Sequence, residues 1–287
     1  VETFITPYWQ TRSAVAIQEN DVEVRQPSVI DRQAGIKNGR SFLLDLIQSR
    51  HSSRGGFDAS RNISKPILAQ ILEAARWAPT PSNMQNFEII VVDDPGLLTA
   101  LGKLPAEMSE AYLRGNFALI SKTEDELRIR KVGTLASDYP PAWIDPEAWN
   151  PESDYRSQLT YLESAVLNAR ILLVVTYDSS VHAPGSEGHM LGFIGLGCVM
   201  ENMWLMAESL SLSMHVHTVF SDEAVEKQVR SLLKMDPATK IAFACGLGYP
   251  VQDAGQDVRV RRELEDFIYH NQFGHKDVLW GQELSKQ

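Results

Sequence analysis

Cysteine is scarce, with only Cys198 and Cys245 in 287 residues. Both sit in apolar runs and neither shows C-x-x-C spacing. Two thiols are too few for a disulfide scaffold. Buried free thiols in a reducing cytoplasm are the expectation. Basic charge is also in the minority: 27 Lys and Arg stand against 37 Asp and Glu, a formal net charge of −10. An acidic chain without a basic tract is a poor nucleic-acid binder. No uninterrupted apolar run approaches the ~18–20 residues of a membrane span. The opening Val1-Glu-Thr-Phe4 lacks the basic and apolar regions of a signal peptide. No G-x-G-x-x-G follows a strand, which leaves a dinucleotide site of that kind unsupported. Walker A and G-x-S-x-G patterns are missing too. His182, His189, His215 and His217 fall in one stretch, but no acidic partners at ligand spacing accompany them, so no metal site is expected.

What remains is ordinary globular composition, 44% hydrophobic and 22% charged. Residues 1–40 are polar and lack the apolar content of a core, so they read as an N-terminal arm. The main domain is read as 41–270, with an irregular Pro- and Trp-containing insertion at 104–153 and a polar tail at 271–287. Ser41 is placed as N-cap of a short helix through Ser49, and Ser64 as N-cap of a second. Ile67, Leu68, Ile71, Leu72 and Ala75 give that second helix an apolar stripe. Strand-like runs cover Phe87–Val92, Ile171–Tyr177, Ser213–Phe220 and Ile241–Gly246. Further helices are expected from about Leu97, at Thr123–Lys131, Tyr155–Arg170, from Asp222 to Leu233, and at Glu263–His270. The longest helix, from about Gly192 to Leu210, is apolar nearly all round, which marks it for a core or a subunit interface.

The chemistry gathers in two basic clusters. Arg50, His51, Ser52 and Arg54 pack two guanidiniums, an imidazole and a hydroxyl into five residues, before a Gly-Gly break. Arg259, Arg261 and Arg262 lie some two hundred residues later. Guanidinium forks suit a phosphate; a solvated basic turn accounts for the same residues. Between the clusters runs a loop with Thr80, Asn83 and Gln85, whose amides match a heterocycle edge carrying donors and acceptors.

Arg50-His-Ser-Ser-Arg54 followed by Phe57-Asp58 resembles the opening motif of the FMN-dependent nitroreductase family. Ala78-Pro-Thr-Pro-Ser-Asn-Met-Gln-Asn-Phe87 is similar to its second motif, with Asn86-Phe87 in place of Pro-Trp. Asn202, Gly246-Leu-Gly-Tyr249 and Arg259-x-Arg-Arg262 follow in the family's order. Ser211-Leu-Ser213 departs from a common Gly-Leu-Gly. The resemblance implies an α+β fold: a mixed, mostly antiparallel sheet flanked by helices, with the long helix at a homodimer interface. It implies FMN at that interface. Arg50, His51, Ser52 and Arg54 would bind phosphate, ribityl chain and pyrimidine edge, and Arg259 and Arg261 would complete the phosphate site. Thr80, Asn83 and Gln85 would reach the flavin, Thr80 from the partner, and the backbone amide near Thr218 would face N5. The implied activity is NAD(P)H-dependent two-electron reduction of a nitroaromatic, quinone or similar small molecule by hydride transfer through N5. On the same fold stand dehydrogenases or oxidases of specialised metabolites, reductive dehalogenases, and a flavin-binding dimer without turnover. His215, His217 and Tyr112 are candidate proton donors only.

Overall fold

The computed structural model describes residues 36–37, 40–54, 56–104, 118–138, 166, 169–221, 223–251 and 258–276. Most of the N-terminal arm, Tyr112, Trp143, Trp149, nearly all of the Tyr155–Arg170 helix and the Asp222 cap lie outside them.

A four-stranded antiparallel sheet runs β3 (Glu88–Val92), β6 (Ile171–Asp178), β8 (Thr239–Gly248), β7 (Ser213–His217). Its register is set by pairs such as Ile90↔Val174, Leu173↔Cys245 and His215↔Gly246. The central β6 is buried from Ile171 to Thr176, which explains its unbroken apolar run. Alternate side chains serve two cores. Ile171, Leu173 and Val175 join one cluster, Leu172 and Val174 the other. The first core is roofed by α2 (Lys65–Arg76) and the long α5 (Met190–Ser209). The second is closed by α3 (Pro95–Gly102) and α6 (Glu223–Leu233).

Smaller elements surround this frame. A two-stranded ladder, β1 (Ile36–Lys37) with β2 (Arg40–Ser41), leads into α1 (Phe42–Ser49). Ser41 closes β2 and directly precedes α1. A compact unit at 120–135 pairs β4 (Ile120–Ser121) in parallel with β5 (Thr134–Leu135) around α4 (Glu124–Arg130). The short α7 (Leu264–Phe267) follows the second arginine cluster.

Several boundaries differ from the sequence reading. Ser64 stands at the start of α2, but its hydroxyl caps nothing. β7 stops at His217, because Thr218–Ser221 tightens into a 3-10 turn that sinks Phe220 into the second core. β8 runs on to Gly248, where Gly246 and Gly248 are ladder residues. Gly248 is needed for close approach: a Cβ there would fall 2.6 Å from the Phe57 side chain. α7 ends at Phe267, with Ile268 already extended. Ser211, in the position matched to a glycine, adopts the left-handed φ of 57° that a glycine favours.

Among the described residues, α5 alone is long and apolar enough by length and composition to cross a membrane. Glu201 and Glu208 interrupt its apolar sequence, so no continuous run announced it. Its Leu196, Val199, Met203, Trp204 and Ala207 are buried in the first core. Its opening turns leave Met190, Phe193 and Ile194 exposed.

Candidate functional site

The chain leaves α1 at Ser49 and runs along the free edge of β7. Ser52 bridges Met214 in parallel, and Ser53 N donates to Met214 O at 3.2 Å. A few residues on, Phe57 bridges Pro250 and Asp58 N donates to Tyr249 O at 2.8 Å. These ties fix the first basic cluster against the end of the sheet. The second cluster comes to it from 209 residues away: Arg259 Nη1 donates to Arg50 O at 2.9 Å and to Ser49 O at 3.3 Å.

The result is one cavity of about 170 Å³. Arg50, His51, Ser52 and Arg54 line one part of it, and Arg259 and Arg261 another. Gly133, in the turn before β5, and Thr134, its first residue, add to the wall with Val258 and Val260. Thus Arg50, His51, Ser52, Arg54, Arg259 and Arg261 converge on one cavity, whereas Arg262 does not line it and lies with its guanidinium carbon 5.3 Å from the Phe267 ring centre. Each guanidinium offers donors and no acceptor, so the cavity suits an anion.

Arg50 is held from behind by α5. Its guanidinium carbon lies 4.7 Å from the Trp204 ring centre, and the Trp204 indole N–H donates to His51 O at 3.2 Å. Glu201 Oε1 stands 3.6 Å from Arg50 Nε, an ion pair too long for a hydrogen bond. Among the described residues, the buried Arg50 Nε meets no hydrogen-bond partner, and neither does the buried Thr134 Oγ1. Neither Glu201 nor Trp204 was singled out as a site residue. Their helical spacing from one another was visible, but their meeting with Arg50 was not. Thr134 carried no sequence signal.

The amide loop lies elsewhere in the protomer. It follows α2 and packs on α5 at Gly195, where a Cβ would meet Pro81 Cδ at 3.2 Å and Thr80 Cα at 3.5 Å. Ser82, Asn83 and Gln85 take left-handed φ of 49°, 53° and 46°. Two hydrogen bonds hold that shape: Gln85 N to Thr80 Oγ1 and Gln85 Nε2 to Asn83 Oδ1, each 3.1 Å. Asn86 then locks the loop to the end of β6, donating to Asp178 O at 3.0 Å and accepting from Asp178 N at 3.1 Å. Thr80, Asn83 and Gln85 do not line the arginine cavity of their own chain. Nor does Thr218, an exposed residue just past β7.

His215 and His217 share one face of β7 with ring centres 4.2 Å apart. Burial, and next the Arg54 charge, push the His215 imidazole down to about 4. Burial, and next His215, push His217 down to about 3. Both are therefore neutral near pH 7, which suits them to packing and hydrogen bonding rather than to proton supply. Cys245 is buried and burial raises its thiol, so it is inert at neutral pH.

The model of the family described as "Nitroreductase family" matches residues 47–249. No protein with a curated description matches the chain. Among solved structures, a nitroreductase with bound FMN from Bacteroides fragilis is similar at a TM-score of 0.51 and 19% identity, covering 80% of this chain and 100% of its own. A putative NADH oxidase from Clostridium acetobutylicum gives 0.51 and 17%, over 80% and 100%. Nitroreductase A from Vibrio parahaemolyticus gives 0.52 and 21%, over 85% and 81%. At these identities the structures speak for the fold alone.

Proposed function

The chain belongs to the nitroreductase family, and from that premise we propose that it is an FMN-dependent oxidoreductase. Its substrates on this reading are a nicotinamide donor and a nitroaromatic, quinone or similar organic acceptor. Bound FMN would supply the two-electron chemistry; the chain supplies position and electrostatics.

The observation that carries the reading is the arginine cavity. Arg50, Arg54, Arg259 and Arg261 would hold the phosphate, with Ser52 and His51 adding single donors. The fit can be judged on the buried Arg50 Nε, a charged donor without a hydrogen bond. An anionic oxygen would satisfy it, and hydrogen bonds to charged groups are worth roughly 1.5–3 kcal/mol. Trp204 and Glu201 orient the guanidinium for that contact.

The cavity, about 170 Å³, is smaller than a whole-ligand pocket, typically about 300–1,000 Å³. It suits the anionic head and leaves the ring system to lie beyond it. This supports a ring site shared between two copies, with Thr80, Asn83 and Gln85 supplied by the partner. Exposed apolar side chains favour such a pairing: Phe42, Leu43 and Ile47 on α1, and Met190 and Ile194 on α5. Thr218 N, just past β7, would stand near the ring.

The visible spectrum of the purified protein, followed by anaerobic addition of NADH or NADPH, tests the reading. Flavin absorbance that bleaches with a nicotinamide and recovers with a nitroaromatic or quinone is the expected result. Bleaching only by another organic substrate would instead favour a dehydrogenase or oxidase, and colourless protein that rejects added FMN would overturn the flavin reading.

A further inference from the structure

The unit at 118–135 was read from sequence as part of an insertion, yet it supplies wall to the arginine cavity. Hydrogen bonds close it at both ends. Thr123 caps α4, accepting from Glu126 N at 3.1 Å. Arg130 ties the far end back to Ile120 O at 3.0 Å and also to Ala118 O. Lys131 ends the helix in a left-handed turn with φ of 56°. Its ammonium then pairs with Glu263 at 2.8 Å, fastening the unit to the segment just after Arg259 and Arg261. Gly133 follows with φ of 95°, and a Cβ there would lie 1.9 Å from Leu119 O. A glycine is required for this turn, and the turn sets Thr134 into the cavity wall.

The Thr134 amide is committed to Leu119 O at 2.9 Å. Its hydroxyl is not committed: Oγ1 is buried with no hydrogen-bond partner among the described residues. A threonine hydroxyl can give one hydrogen bond and accept two, and leaving it buried and unmet is costly. A valine would fill the same space without that cost. Its polar neighbours in the wall are the guanidiniums of Arg50, Arg54, Arg259 and Arg261, which offer no acceptor, together with the Ser52 hydroxyl and the His51 imidazole; an anion drawn in by the four arginines is the group that would meet the hydroxyl.

We propose that Thr134 is a further ligand of the anionic head, donating its hydroxyl to a phosphoryl oxygen beside Arg50, Arg54, Arg259 and Arg261. The inference rests on the FMN reading. It makes the β4–α4–β5 unit part of the cofactor site, with the Lys131–Glu263 pair and Gly133 as its positioning devices.

The test titrates the full chain, freed of flavin, with FMN and with riboflavin, following quenching of flavin fluorescence. T134V should bind FMN roughly 10-fold or more weakly. It should bind riboflavin, which lacks the phosphate, as the wild type does, with unchanged melting temperature. T134S should restore FMN binding. Equal FMN affinity of T134V and wild type overturns the assignment while leaving the FMN reading standing. So does a T134V that loses FMN and riboflavin alike with a lowered melting temperature, because that result makes Thr134 a packing residue. A wild type that takes up neither flavin overturns the FMN reading, and this inference with it.

Discussion

Arg50 concentrates the physics of the site in one side chain. It is half-buried, stacked on Trp204, near Glu201, and left with a buried Nε that lacks a hydrogen bond. Arg50→Ala is expected to weaken FMN binding by about 1.5–3 kcal/mol. The purified variant would then carry much less flavin per chain, read from the ratio of visible to ultraviolet absorbance. Unchanged flavin content would remove Arg50 from the site. The two β7 histidines give a second prediction. Their imidazoles are held at about 4 and about 3, below the unfolded value near 6.5. Above pH 6.5 both states are neutral and the pair costs nothing. Below it the unfolded chain takes up protons that the folded chain refuses, so stability falls as pH drops from about 6.5 toward 3. Urea midpoints at pH 7, 5.5 and 4.5 should decline, and His217→Leu should flatten part of that slope. The arginines were legible in the sequence because guanidinium chemistry shows in the residue type. Thr134 was not, since an unmet hydroxyl becomes visible only when its surroundings are known.

Elements were legible where local chemistry decides them. α4 is the clearest example. Its Thr123 cap, acidic first turn and basic last turn were readable as written, and Glu124–Arg128 pairs at 3.2 Å as helical spacing requires. β6 was readable from its buried, unbroken apolar run. β7 was overextended because alternation at Thr218 and Phe220 continues into a turn, and α7 because the acidic run at Glu263–Asp266 reads as a longer helix than its four residues. Two glycine-related substitutions test these turns. Gly133→Ala forces a methyl onto the Leu119 backbone. It should loosen the β4–β5 pairing, seen as faster amide exchange across 118–135. Ser211→Gly relieves a left-handed residue between α5 and β7. The relief, about 1–2 kcal/mol, is partly offset by glycine's entropy cost of about 0.5–1 kcal/mol. A higher denaturation midpoint is expected, with activity retained.

At the scale of the molecule, sequence reading reached the order of elements through apolar patterning and turn residues, and the mostly antiparallel sheet through resemblance. It could not show that the amide loop and the arginine cavity lie apart within one chain, because that separation depends on how α5 carries the loop. If the ring site is shared, the protein in solution should show twice the chain mass of 32.1 kDa by light scattering. Ile194→Asp on the exposed face of α5 should shift it toward a single chain and lower flavin affinity together. A monomeric wild type with full flavin content would rule out the shared site. Because the Arg259 guanidinium reaches back to the carbonyls of Ser49 and Arg50, a ribosome must translate past position 259 before the cradle closes. A stop codon between positions 249 and 258 would leave all four strands of the sheet encoded but remove Arg259 and Arg261, so on the proposed reading its product should fail to retain FMN.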